Sequence, residues 1–122
     1  MSSSLNDINR TLALYTKNVN MAMQSVFDTT ARDAANKLKK TSPKAKGEYA
    51  RNWAVKKELG KATVYNKKPT YRLTHLLENG HDVVVNGKKV GHANPQVHIK
   101  PVDEWVQEEV PKRLEEALGN VD

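Results

Sequence analysis

The chain has 122 residues, of which 38% are hydrophobic and 28% charged, with one Phe, two Trp and no cysteine. That length suits one domain, 1–122, around a modest core, and the missing cysteines exclude disulfides and thiolate metal sites. No apolar run reaches the roughly eighteen residues of a membrane span and the start lacks a cleaved signal's layout, so the expected compartment is cytosolic, with no membrane partner.

From Leu5 the apolar positions run Leu5, Ile8, Leu12, Tyr15, Val19, Met23, Val26, Phe27, Ala31, Ala34, Ala35 and Leu38, a three-and-four spacing free of Gly and Pro. This predicts a helical arm over residues 1–40, with Ser4 or Asn6 as N-cap. At about 1.5 Å per residue such a helix outruns so small a domain, so it either protrudes or breaks near Asn18 and Asn20. Pro43 disfavours helix at Ser42 and Gly47 permits a turn, which stops it.

Tyr49, Trp53 and Val55 fall at even spacing and predict a strand from Glu48 to Glu58; Gly60 turns the chain into a second strand, Ala62 to Asn66. "YRLTHLLENG" predicts two helical turns over Tyr71–Leu77 that end at Gly80 in the left-handed conformation. Valines around Asn86-Gly87 predict a hairpin. The last helix is expected to open at Pro101 in the first position and to kink or break at Pro111. Residues 41–100 thus hold the sheet, short helix and hairpin, and residues 101–122 the C-terminal helix.

His75, His81, His92 and His98 stand six, eleven and six residues apart, which does not match the close pairs that zinc motifs place on one element. No nucleophile motif adjoins a histidine and no Gly-rich phosphate loop occurs, so neither a catalytic residue nor a metal ligand is assigned and no cofactor is expected. Each histidine is expected to hydrogen-bond backbone at the end of an element.

The net charge of +6 is unevenly spread: residues 1–36 sum to zero, 37–68 carry +9, 69–100 carry +2 and 101–122 carry −5. Lysines at 37, 39, 40, 44 and 46, followed by Tyr49 and Trp53, have the composition of a phosphate-tracking surface, but the two aromatics share a face with Val55 and are read as core. The alternative function is therefore a basic DNA-binding protein or a small nuclease or ribonuclease-type toxin. The favoured reading makes the two charged faces contacts between subunits. Lys56, Lys57, Lys61, Lys67 and Lys68 lie on one and Glu108, Glu109, Glu115 and Glu116 on the other.

The order of a long helix, Ser42-Pro43 to Gly47, a hydrophobic strand, "LLENGH" over 76–81 and "PQVHIKP" over 95–101 before a closing helix resembles the HK-ninety-seven gene-product-ten-like family of phage head-tail joining and tail-completion proteins. The resemblance covers Ala31 to Leu118. One departure is Ala45-Lys46-Gly47, where the family commonly carries Asp-Thr ahead of its glycine.

The resemblance implies an α+β fold: a long N-terminal helix, an antiparallel sheet with an inserted short helix and a hairpin, and a C-terminal helix packed on the sheet. It implies a non-enzymatic subunit of a homo-oligomeric ring, six members being the expectation, between capsid connector or neck protein and tail tube. Such a protein is assembled in the host cytoplasm, sits in the virion at the head-tail junction, and can meet DNA non-specifically in the lumen. On this reading Gly47, Glu78, Gly80, His81, Pro95, His98 and Pro101 are architectural, and the hairpin residues Val84, Asn86, Gly87, Lys88 and Lys89 form a docking edge.

Overall fold

The computed structural model describes residues 2–44 and 47–121, so Ala45 and Lys46 lie outside the described residues. Helix α1 spans Ser2–Thr41 without a break, about 60 Å at helical rise. Ser4 and Asn6 lie inside it rather than capping it, and Asn18 and Asn20 do not interrupt it. An Asn costs a helix only about half a kcal/mol relative to Ala, while the apolar spacing runs on unbroken across both residues. The helix ends ahead of Pro43, where the Ser42 hydroxyl and backbone N–H both donate to the Leu38 carbonyl.

The expected strand from Glu48 is instead a helical turn followed by a strand: α2 spans Glu48–Arg51 and β1 spans Trp53–Glu58. Tyr49 and Trp53 are four apart, a spacing that fits both periods. Tyr49 and Ala50 are both buried, which the alternation of a strand does not allow, and the Asn52 N–H closes the turn on Glu48 and Tyr49 carbonyls at 3.1 and 3.2 Å. Gly47 leads into the turn at φ 76°, left-handed. Strand β2, Lys61–Asn66, pairs antiparallel with β1 from Trp53↔Asn66 to Glu58↔Lys61.

A 3-10 turn at Thr70–Arg72 leads into α3, Leu73–Asn79. Strands β3, His81–Val85, and β4, Lys88–Ala93, form the expected hairpin; Asn86 and Gly87 take φ 50° and 78°, as a primed two-residue turn requires. The sheet is thus two separate two-stranded hairpins. Helix α4 spans Ile99–Gly119, so Pro101 is its third residue, not its first. Pro111 neither ends nor interrupts it. Pro111 denies Gln107 a helical donor, but both residues are exposed and water can serve the freed carbonyl.

The core is small. Ala34, Ala35 and Leu38 of α1, Tyr49, Trp53 and Val102 are buried, with Val55, Val64, Leu77, Ile99, Trp105 and Val106 packed around them. The alanines let α4 lie close along α1. Arg113 donates to Asp33 at 2.9 Å, and Lys37 sits 4.6 Å from the Trp105 ring centre. Burial lowers the pKa of the Arg113 guanidinium, but the bonds to Asp33 and Glu109 outweigh it and raise the value. No described helix is long and apolar enough to cross a membrane.

Candidate functional site

The two motifs that carried the resemblance meet at one carboxylate. Glu78, in the last turn of α3, accepts the backbone N–H groups of His98 at 2.8 Å and Ile99 at 2.9 Å on Oε1, and that of Lys100 at 3.0 Å on Oε2. These are the unpaired donors at the start of α4, and the next residue, Pro101, has no N–H to satisfy. Burial pushes the Glu78 carboxyl up, yet the three N–H donors and the nearby His98 imidazole outweigh it and hold the carboxyl below the usual glutamate range. Glu78 therefore supports the start of the last helix.

His98 is buried beside it. Its Nδ1 lies 2.7 Å from the Gln96 carbonyl and 3.0 Å from Glu78 Oε1, neither of which can donate, so Nδ1 carries a proton, and in the neutral ring Nε2 accepts from the Tyr49 hydroxyl at 2.8 Å. Tyr49, Trp53 and His98 meet edge to face, and Trp53 Nε1 donates to the Ser42 hydroxyl at 2.8 Å. Tyr49 and Trp53 are thus core, as expected. Desolvation pushes the Tyr49 phenol up, keeping it a neutral donor.

Gly80 takes φ 73° with ψ 171°, positive in φ but outside the left-handed helical region expected of it. Space restricts the position as well: a Cβ there would stand 2.5 Å from the Ala93 carbonyl oxygen and 2.9 Å from the Pro95 nitrogen. Pro95 and Gly80 therefore clamp the base of the β3–β4 hairpin, and the Gln96 N–H bonds the Leu77 carbonyl at 2.7 Å. His81 lies at that base with Nδ1 buried and without a hydrogen-bond partner.

Above the base the hairpin is open to solvent. Val83 is 38% exposed, Val84 59% and Val85 52%, with Val90 exposed opposite them. Val84 pairs with Lys89 and Val85 with Lys88, and the register shifts between Val83 and Val84. Asp82 lies 3.0 Å from His92 and 3.2 Å from Lys89, and those two groups, His92 first, hold its carboxyl low. His75 is exposed on α3, so the four histidines occupy separate settings and only His98 bonds backbone. Among the described residues no three His, Asp or Glu side chains are placed to hold a metal ion.

Lys56, Lys57 and Lys61 are exposed on the β1–β2 hairpin, and Lys67 and Lys68 follow β2, exposed, ahead of the cis peptide at Pro69. Glu108, Glu115 and Glu116 are exposed along α4, whereas Glu109 is half-buried and bonds Arg113 at 3.1 Å. Glu109 thus belongs to an ion-pair chain within the subunit, through Arg113 to Asp33. That chain was not foreseen from the sequence, although Glu109 and Arg113 four apart on one helix face are its visible half.

Fold and surfaces together define a small α+β protein that presents an exposed helical arm, a valine hairpin and two charged faces. A family described as "Bacteriophage HK97-gp10, putative tail-component" matches residues 6–80, and the chain belongs to it. Comparison with curated proteins and with solved structures finds no match. The matched stretch runs from α1 to Gly80, so it begins well before the expected Ala31 and leaves "PQVHIKP" and α4 outside.

Proposed function

We propose that the protein is a non-enzymatic, single-domain structural subunit of a phage or prophage virion. It acts at the head-tail interface as a tail-completion, terminator or neck protein, in a homo-oligomeric ring between capsid connector and tail tube. Membership in a phage tail-component family carries this reading. The exposed hairpin and the opposed charges support it. A ring needs two different patches on each subunit, and the lysines of the β1–β2 hairpin and the glutamates of α4 supply opposite signs on separate elements.

Size-exclusion chromatography with light scattering, alone and with the connector or neck protein and the tail-tube protein of the same particle, tests it. The expected result is a complex with one or both of these proteins in which the chain closes into a ring. A chain that stays apart from both and instead binds or cleaves DNA overturns the proposal in favour of the nucleic-acid alternative.

A further inference from the structure

We infer that the free half of α1 is a self-pairing arm whose apolar seam packs antiparallel on the same seam of a second copy of this chain. Leu5, Ile8, Leu12, Tyr15 and Val19 follow one another in steps of three and four, the narrow seam that a coiled coil repeats every seven residues. Leu5, Ile8, Leu12 and Tyr15 are each more than half exposed, from 51% to 63%. Further along the helix the same steps reach Val26, Thr30, Asp33 and Lys37, and there the face is covered: Val26 is buried, Arg113 reaches Thr30 and Asp33, and Trp105 meets Lys37. So α4 covers this face as far as Arg113 reaches, and among the described residues no helix lies against the seam beyond the end of α4 at Gly119.

The missing element is therefore a helix lying in line with α4, and the chain's own arm fits. Asn9, Thr11, Thr16 and Asn18 flank the seam and carry no charge, so identical arms do not repel. A lipid surface or DNA would call for a basic polar face, and this stretch offers only Arg10 and Lys17 against Asp7. An antiparallel two-fold pair sets Leu5 against Tyr15 and Ile8 against Leu12, each twice, and leaves the half-buried Val19 to the subunit's own body. It also points the positive N-terminal end of one arm at the negative C-terminal end of the partner's α4, where exposed Glu115 and Glu116 add to the attraction. Parallel arms would align their dipoles and crowd both bodies at one end. The arm is already helical because the core anchors its far half, so pairing bears no nucleation cost.

This contact is separate from the proposed ring contact, and its test is read on the protein alone. Light scattering over a concentration series should give twice the chain mass for the full chain. Ile8→Asp with Leu12→Asp should return it to a monomer with unchanged helix content, and Leu14→Asp, on the opposite face and also exposed, should leave the dimer intact. Because the chain has no cysteine, Leu5→Cys with Tyr15→Cys reads the direction: the two positions lie about 15 Å apart in one helix, and oxidation should give disulfides from position 5 of one chain to position 15 of the other. A full chain that is monomeric throughout, a dimer indifferent to the two aspartates, equal disruption by Leu14→Asp, or links joining only like positions overturns the inference. So does a monomer whose seam variants lose binding to a connector or tail-tube protein, for the arm then belongs to that partner.

Discussion

Removing the carboxylate at Glu78 should cost far more than its place at the rim of the core suggests. Glu78→Ala leaves three N–H groups without their acceptor. Lys100 is exposed and turns to water at little cost, Ile99 is partly covered, and His98 is buried, so one donor is fully orphaned and a second in part. A buried donor left unpaired costs about 1–3 kcal/mol, and losing a charged cap at a helix N-terminus adds about 0.5–2, so a loss of about 1.5–5 kcal/mol is expected. Glu78→Gln separates the terms. Its amide oxygen can keep the two bonds made by Oε1 while its NH2 faces the Lys100 N–H, so about 1 kcal/mol should go. The charge gives the effect a pH signature. The folded-state pKa of Glu78 lies below the ordinary 4.5, so its contribution is complete above that value and disappears as pH falls through it to the folded pKa. Urea unfolding of the three proteins at neutral pH and near pH 4 measures this, and the gap between the natural protein and Glu78→Gln should narrow on acidification. An alanine variant within about 0.5 kcal/mol of the natural protein, below any loss expected for an orphaned buried donor, would refute the reasoning.

Gly80→Ala forces a Cβ against the Ala93 carbonyl and into a backbone region essentially confined to glycine, so a loss of about 2–4 kcal/mol in chemical denaturation is expected, with faster amide exchange at the hairpin base. Tyr49→Phe removes the donor to His98 Nε2 and keeps the ring packing, and should lower stability by about 1–3 kcal/mol in the same assay. Reversing Glu108, Glu115 and Glu116 to lysine, sparing the internally paired Glu109, should leave the melting curve within about 0.5 kcal/mol of its original position while weakening ring or joined-particle formation. Raised salt should weaken assembly of the natural protein in the same way, and indifference to both changes removes the charged faces from the interface.

The long helix, the β1–β2 pair, the valine hairpin and the helix before Gly80 were legible because each rests on a local signal: unbroken three-and-four spacing, a glycine turn, an Asn-Gly pair. What failed was decided by tertiary contact. Tyr49 and Trp53 satisfy two periods at once, and only the burial of adjacent Tyr49 and Ala50 selects the helical turn. The start of α4 moved ahead of Pro101 because Glu78, some twenty residues upstream, supplies the acceptor that lets Ile99 and Lys100 become helical. "LLENGH" and "PQVHIKP" read as separate corners in the sequence, and nothing local states that the glutamate of one caps the helix of the other. Among the surfaces, the hairpin and the exposed lysines were legible, while the Glu109–Arg113–Asp33 chain needed α1 and α4 side by side.

That cap also bears on how the hairpin can work. A two-stranded hairpin alone is marginal in water, and β3–β4 carries four exposed valines over strands whose extensive contacts, among the described residues, are with each other. Its direction is set where Gly80, Ala93 and Pro95 lock together, directly after the turn of α3 that holds Glu78. The stiffness of the hairpin's mount therefore comes from the bond network that fixes the start of α4, and α4 in turn is fixed along α1 by Arg113 and Trp105. A docking hairpin needs such a mount, because a strand that finds its partner while swinging freely loses to ordering what its valines gain by burial. Damage at Glu78 or Gly80 should then weaken assembly under conditions where the chain is still folded, whereas Val84→Thr on the open strand should weaken assembly alone. Equal assembly by a folded Gly80→Ala protein would mean that the hairpin's direction is immaterial and that the partner contact lies on the helices.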